Sequence, residues 1–128
     1  MELIEHLKSK GYRQVLSEKS NSFGDFVEQF SSSVLTIRFS SSKSFEMLDV
    51  CSVKETNNWY DVALIKSLID DQESKLNEKA DMSILVSFLS ENLEQVEALF
   101  DTESYNRTKE KLGELEQKRV SQMFPNIS

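Results

Sequence analysis

Residues 34–39 read Val34-Leu35-Thr36-Ile37-Arg38-Phe39, with serine runs on either side at Ser31-Ser32-Ser33 and Ser40-Ser41-Ser42. Leu35, Ile37 and Phe39 fall on one face of an extended chain, and Val34, Thr36 and Arg38 on the other. Such an alternation, apolar on one side, is what a half-buried antiparallel strand requires. Serine serves in the turns that bound it. The period of two continues outward in both directions. Upstream, Phe26, Glu28 and Phe30 alternate with Asp25, Val27 and Gln29 within the run Phe23 to Phe30. Tyr12 to Ser17 reads as a first strand, with its turn over Asn21 to Gly24. Downstream, Phe45 and Met47 share a face while Leu48 and Val50 share the other. A bulge or burial on both faces accounts for that switch. These segments predict a four-stranded antiparallel meander whose Val34, Thr36, Arg38 face stays open to solvent or to a partner.

On both flanks the period changes to that of a helix. Leu3, Ile4 and Leu7 predict a short helix over 2–9, stopped by Gly11. Beyond Asn57-Asn58, the residues Trp59, Tyr60, Val62, Leu64, Ile65, Leu68 and Ile69 surround most of a helix surface, so 59–69 is expected to be buried. Residues 70–80 are polar and read as a loop, with Leu76 as an anchor. Over 82–100, Leu85, Phe88, Leu89, Leu93, Val96, Leu99 and Phe100 step by three and four. Glu91, Glu94, Glu97 and Asp101 form the opposite stripe. Asn92 falls inside the apolar arc and needs a hydrogen-bond partner. A last helix over 106–123 carries Leu112, Leu115 and Met123 and ends before Pro125. Strands first and helices after predict an α+β fold: a short N-terminal helix, the four-stranded meander, then three helices packed on one face of the sheet. All of 1–128 is expected to form a single domain, with the helix and sheet in 1–58 and the helical half in 59–128.

The 128 residues suffice for one core without metals or disulfides. A content of 38% hydrophobic and 29% charged residues is that of a folded globular chain. Cys51 is the only cysteine, which fits a reducing compartment. No apolar run approaches the ~18 residues of a membrane span. The acidic start, MELIEHLKSK, is unlike a signal peptide, so a cytoplasmic location is expected. Net charge is −7, and it is concentrated. Between residues 61 and 104 there are 11 acids and 3 bases, whereas 105–128 carries 3 acids and 5 bases. An acidic surface of this kind repels nucleic acid and anionic membranes and steers a basic partner toward it.

Candidates for chemistry are few. His6 is the only histidine, so any Ser-His-Asp or Cys-His arrangement would pass through it. Cys51 lies between Val50 and Val53 in a strand-like run and reads as buried and inert. One cysteine and one histidine exclude the usual zinc sites. Asp70, Asp71 and Glu73 lack the glycine and alternating acids of a calcium loop. Asp25, Glu28, Glu46 and Asp49 lie in strands and read as surface acids. Three separated glycines make no phosphate-cradling loop. The basic residues Arg107, Lys109, Lys111, Lys118 and Arg119 are interleaved with acids, which suits a salt-bridged helix face better than a nucleic-acid platform. No catalytic residue, metal or cofactor is expected.

The order of several motifs resembles a group of small bacterial immunity proteins of contact-dependent and other polymorphic toxin systems. The pieces are Ser22-Phe23-Gly24-Asp25-Phe26-Val27, Trp59-Tyr60-Asp61-Val62-Ala63-Leu64-Ile65, Phe88-Leu89-Ser90-Glu91-Asn92-Leu93, Glu97-Ala98-Leu99-Phe100, and Lys118-Arg119 through Met123-Phe124-Pro125. They span nearly the whole chain in order. The chain departs from the pattern at Ser41 to Ser44, where a charged turn containing glycine is expected. The resemblance implies a non-catalytic inhibitor that neutralises a cognate protein toxin by binding it and blocking its active site or substrate groove. A toxin of nuclease type would be basic, and the acidic block would favour its fast capture. Charge distribution then nominates Asp70, Asp71, Glu73, Glu91, Glu94, Glu97 and Asp101 as partner-binding residues. A monomer with no nucleic-acid or membrane partner is expected. The competing readings are an adaptor or regulatory module with another protein partner, an acid-based enzyme, and a self-associating subunit.

Overall fold

The computed structural model describes residues 2–19, 25–43, 45–71, 76 and 81–124. The predicted turn at Asn21 to Gly24, and Glu73 among the nominated acids, lie outside them. In chain order the elements are α1 (Glu2–Ser9), β1 (Arg13–Lys19), β2 (Phe26–Ser31), β3 (Leu35–Ser42), β4 (Phe45–Ser52) and β5 (Tyr60–Asp61), then α2 (Val62–Asp70), α3 (Met82–Glu91), α4 (Leu93–Leu99) and α5 (Tyr105–Met123). The fold is α+β, as the change of period predicts.

Helix α1 ends as Gly11 requires. Gly11 adopts φ +89, the left-handed conformation that costs a residue with a Cβ about 1–2 kcal/mol. Its N–H donates to Lys8 O at 3.2 Å, and the Tyr12 N–H donates to Leu7 O at 3.0 Å. This pair of bonds satisfies the last carbonyls of the helix and turns the chain into β1. Leu7 and Tyr12, which meet across the turn, are both buried.

The sheet is antiparallel throughout, in the order β1-β2-β3-β4-β5. Phe30, Ile37 and Val50 lie side by side on three strands, as do Phe39 and Leu48 on β3 and β4. The face carrying them is buried beneath the helices. The β3–β4 register runs without a break from Leu35↔Ser52 to Ser42↔Phe45. The irregular alternation in β4 is therefore burial on both faces over Leu48 to Ser52, and the bulge lies in β1, between Gln14 and Leu16. The opposite face is less open than its pattern suggests. Thr36 is buried and shares a 2.6 Å hydrogen bond with Ser31. Arg38 bridges Asp49 at 3.0 Å and sits 4.1 Å from the centre of the Trp59 ring. Charge pairing and a cation–π contact close that face where alternation alone leaves it exposed.

Two helices differ from their predicted bounds for local reasons. Residues 59–61 are not helical, because Tyr60 and Asp61 pair with Val50 and Asp49. The Asp61 carboxylate then accepts the Ala63 N–H at 2.9 Å and starts α2 at Val62. The span 82–100 is not one helix. Asn92 donates its side-chain amide to Phe88 O at 3.0 Å and adopts φ −121, so the chain restarts as α4 at Leu93. An asparagine that competes for a backbone carbonyl interrupts a helix in this way. Four helices therefore follow the sheet among the described residues.

Helix α5 buries Tyr105, Thr108, Leu112 and Leu115 along one stripe and is tied to the segment after β4. The Tyr105 hydroxyl donates to Glu55 at 2.6 Å, and Lys109 bridges Glu55 at 2.9 Å. Met123, expected on the apolar stripe, is 52% exposed. Leu76 is buried as an anchor. Because Leu112 is fully buried, Leu112→Ala should cost about 2–5 kcal/mol in urea unfolding. Val15→Thr, at a residue 53% exposed, should stay within about 0.5 kcal/mol.

Candidate functional site

The nominated acids divide into two kinds. Asp70, Asp71, Glu91 and Glu94 are exposed. Asp70 ends α2 and pairs with Lys66 at 2.6 Å. Asp71 follows it in the left-handed conformation at φ 55, with its N–H on Ser67 O. Asp70 and Glu91 meet across a shallow cleft of about 440 Å³ between α2 and α3, shared with Lys66 and Ile84. Ile84 is an exposed apolar side chain. Glu97 and Asp101 instead hold the fold together. The Tyr12 hydroxyl donates to Glu97 at 2.7 Å, and the Ser104 N–H donates to Asp101 at 2.8 Å. The stripe predicted on one helix is thus interrupted at Asn92, and half of it serves internal contacts.

A second concavity, of about 450 Å³, lies along the outer edge of β4. Because β5 pairs only with Asp49 and Val50, no described strand lies against the outer edge of the earlier half of β4. Leu76, Met82 and Leu85 form one wall, and Arg119, Val120 and Met123 another. Phe45 is 52% exposed, Met47 38% and Val120 56%. At the closed end stand Asp49, Asp61 and Arg119. Asp61 is held by Arg119 at 3.1 Å. Burial raises the Asp49 carboxyl above its ordinary value. The Arg38 hydrogen bond and charge oppose that rise, and the neighbouring Asp61 adds to it. The groove is apolar in its walls, and the two carboxylates at its end are each paired with an arginine.

The groove is not legible in the sequence because its apolar residues come from five separate segments: β4, the start of α2, Leu76, α3 and α5. A signal is nevertheless present in the odd face of β4, where Phe45 and Met47 lie opposite the buried Leu48 and Val50. Arg119 and Lys109 belong to the basic run of α5, yet their carboxylate partners are Asp61 and Glu55, outside that helix.

Reactive groups are otherwise engaged or covered. Cys51 is buried, and burial pushes its thiol up to about 11. His6 is partly exposed on α1. No group of three His, Cys, Asp or Glu among the described residues is placed to hold a metal ion. No helix among them is long and apolar enough to cross a membrane. Compared with protein-family models, curated proteins and solved structures, the chain matches none.

Tyr12, Tyr105 and Cys51 all hold their protons more tightly than usual, chiefly through burial. A group whose pKa is raised on folding contributes stability below its ordinary value, and that contribution is lost as pH rises through the raised one. The urea midpoint should therefore fall as pH climbs past 9.0 for the thiol and 10.0 for the phenols. Tyr12→Phe should cost about 1 kcal/mol at neutral pH, by removing the bond to Glu97, and should make the alkaline decline shallower. Cys51 should resist a thiol reagent until the chain unfolds.

Proposed function

We propose that this chain is a non-catalytic inhibitor of the immunity type, which neutralises a basic, nuclease-type toxin by docking on it. The observation that supports this is the α2–α3 cleft, where Asp70 and Glu91 flank the exposed Ile84. Asp71 and Glu94 extend the same charge on neighbouring turns. Acids at the rim of a contact raise the rate at which an oppositely charged protein arrives, and an apolar side chain among them provides area to bury once it has arrived. The partner is a folded basic protein, and the reaction it performs is stopped by steric cover. Glu97 contributes indirectly, by tying α4 to Tyr12, and Asp101 by accepting the Ser104 N–H at the start of α5.

The test uses the product of the adjacent reading frame, purified and mixed with this chain. A complex should form and relieve the growth arrest caused by that product. Replacing Asp70, Asp71, Glu91 and Glu94 together with lysine should slow association by roughly tenfold or more at low salt, with the difference shrinking as salt is added. Absence of a complex, or an association rate indifferent to the four reversals, would count against the reading.

A further inference from the structure

The two edges of the sheet are built differently. Strand β1 is an outer strand that carries a bulge between Gln14 and Leu16 and charges at Arg13, Glu18 and Lys19. Bulges and charges are the usual means of keeping an edge from pairing with another chain. At the other side β5 covers β4 only at Asp49 and Val50. The run from Glu46 to Leu48 keeps an unbroken register with β3, and it carries the exposed Met47. A straight, apolar edge beside a ready-made groove is what an incoming strand needs.

We infer that the groove along β4 receives an extended segment of the protein partner, added as a strand to Glu46–Leu48. This rests on the reading that the chain binds a protein, and it names a surface and an occupant that the acidic cleft does not. Main-chain hydrogen bonds to β4 would supply part of the affinity, and side chains on alternate residues would supply the selectivity. Alternate positions of the guest face the apolar walls at Leu85, Val120 and Met123. Charge decides the remainder of its chemistry. Glu46 is exposed on the strand, whereas Asp49 is already paired with Arg38 and Asp61 with Arg119. The guest is therefore apolar at alternate residues and carries a lysine or arginine opposite Glu46. A second copy of this chain fits less well, because two copies at net charge −7 repel. Helix α3 borders both surfaces, with Met82 and Leu85 on the groove and Ser83 and Ile84 on the cleft. One partner can therefore occupy both.

The probe is a display library of short random linear peptides, panned on the purified chain. Enriched peptides should alternate apolar residues and include a lysine or arginine. Their affinity should fall roughly tenfold or more on Met47→Lys and, separately, on Val120→Glu. Both substitutions are at exposed positions, and far-UV circular dichroism verifies that the variants fold. Methylating alternate peptide nitrogens in one register should abolish binding, and in the other register should leave it intact. Asp71→Lys should leave peptide affinity unchanged. The proposal falls if no peptide is enriched, or if enriched peptides ignore both variants and the methylation. It falls too if the chain forms a dimer that Val120→Glu dissolves, since the edge then serves a second copy. A toxin complex that survives while the peptides fail keeps the inhibitor reading and removes the groove; peptides that bind without any such complex do the reverse.

Discussion

Asp61 makes three contacts at once, and much of the molecule's layout follows from them. Its backbone pairs with Asp49 as the last residue of the sheet. Its carboxylate accepts the Ala63 N–H and so begins α2. The same carboxylate receives Arg119 at 3.1 Å, which fixes the far end of α5 over the sheet edge. A strand that turns into a helix after two residues cannot cover its neighbour further along. The end of β5 at Asp61 is therefore what leaves the first half of β4 without a described strand beside it, and the Arg119 contact places a helix there. A groove arises where a longer strand would have closed the sheet.

Most of the fold was legible because its signals are periodic. The alternation at Leu35, Ile37 and Phe39, and the three-and-four spacing at Leu85, Phe88 and Leu89, predict strand and helix from the burial each needs. Misread features were those in which a polar side chain acts on a specific neighbour. The place of Asn92 in the apolar arc shows that it needs a partner, yet its choice of Phe88 O, which divides the helix, depends on a local geometry that spacing does not encode. Hydrophobicity places Trp59 in a helix, whereas it lies over Arg38 ahead of that helix. Alternation overstates the openness of the Thr36 and Arg38 face for the same reason, since pairing across strands is invisible in one segment.

The acidic block between residues 61 and 104 has a physical division that composition hides. Asp61, Asp81, Glu97 and Asp101 accept hydrogen bonds that cap helices or join elements. Asp70, Asp71, Glu91 and Glu94 remain at the surface. The first group is bound up with stability, and reversing those charges would confuse a folding defect with a binding defect. On the proposed reading, the surface acids would set how a partner approaches and the apolar groove what stays bound, a combination of rapid encounter with selective contact.

The central claim is that the sheet ends early at Asp61 and leaves β4 accessible. Amide hydrogen exchange along β4 in the free protein addresses it residue by residue. In an antiparallel strand every second amide points away from one neighbour and depends on the other. The account predicts slow exchange for Asp49 and Val50, whichever way their amides point, and rapid exchange for the outward amides between Glu46 and Leu48. Uniform slow exchange along the whole strand would mean that the edge is already occupied, and would contradict the account.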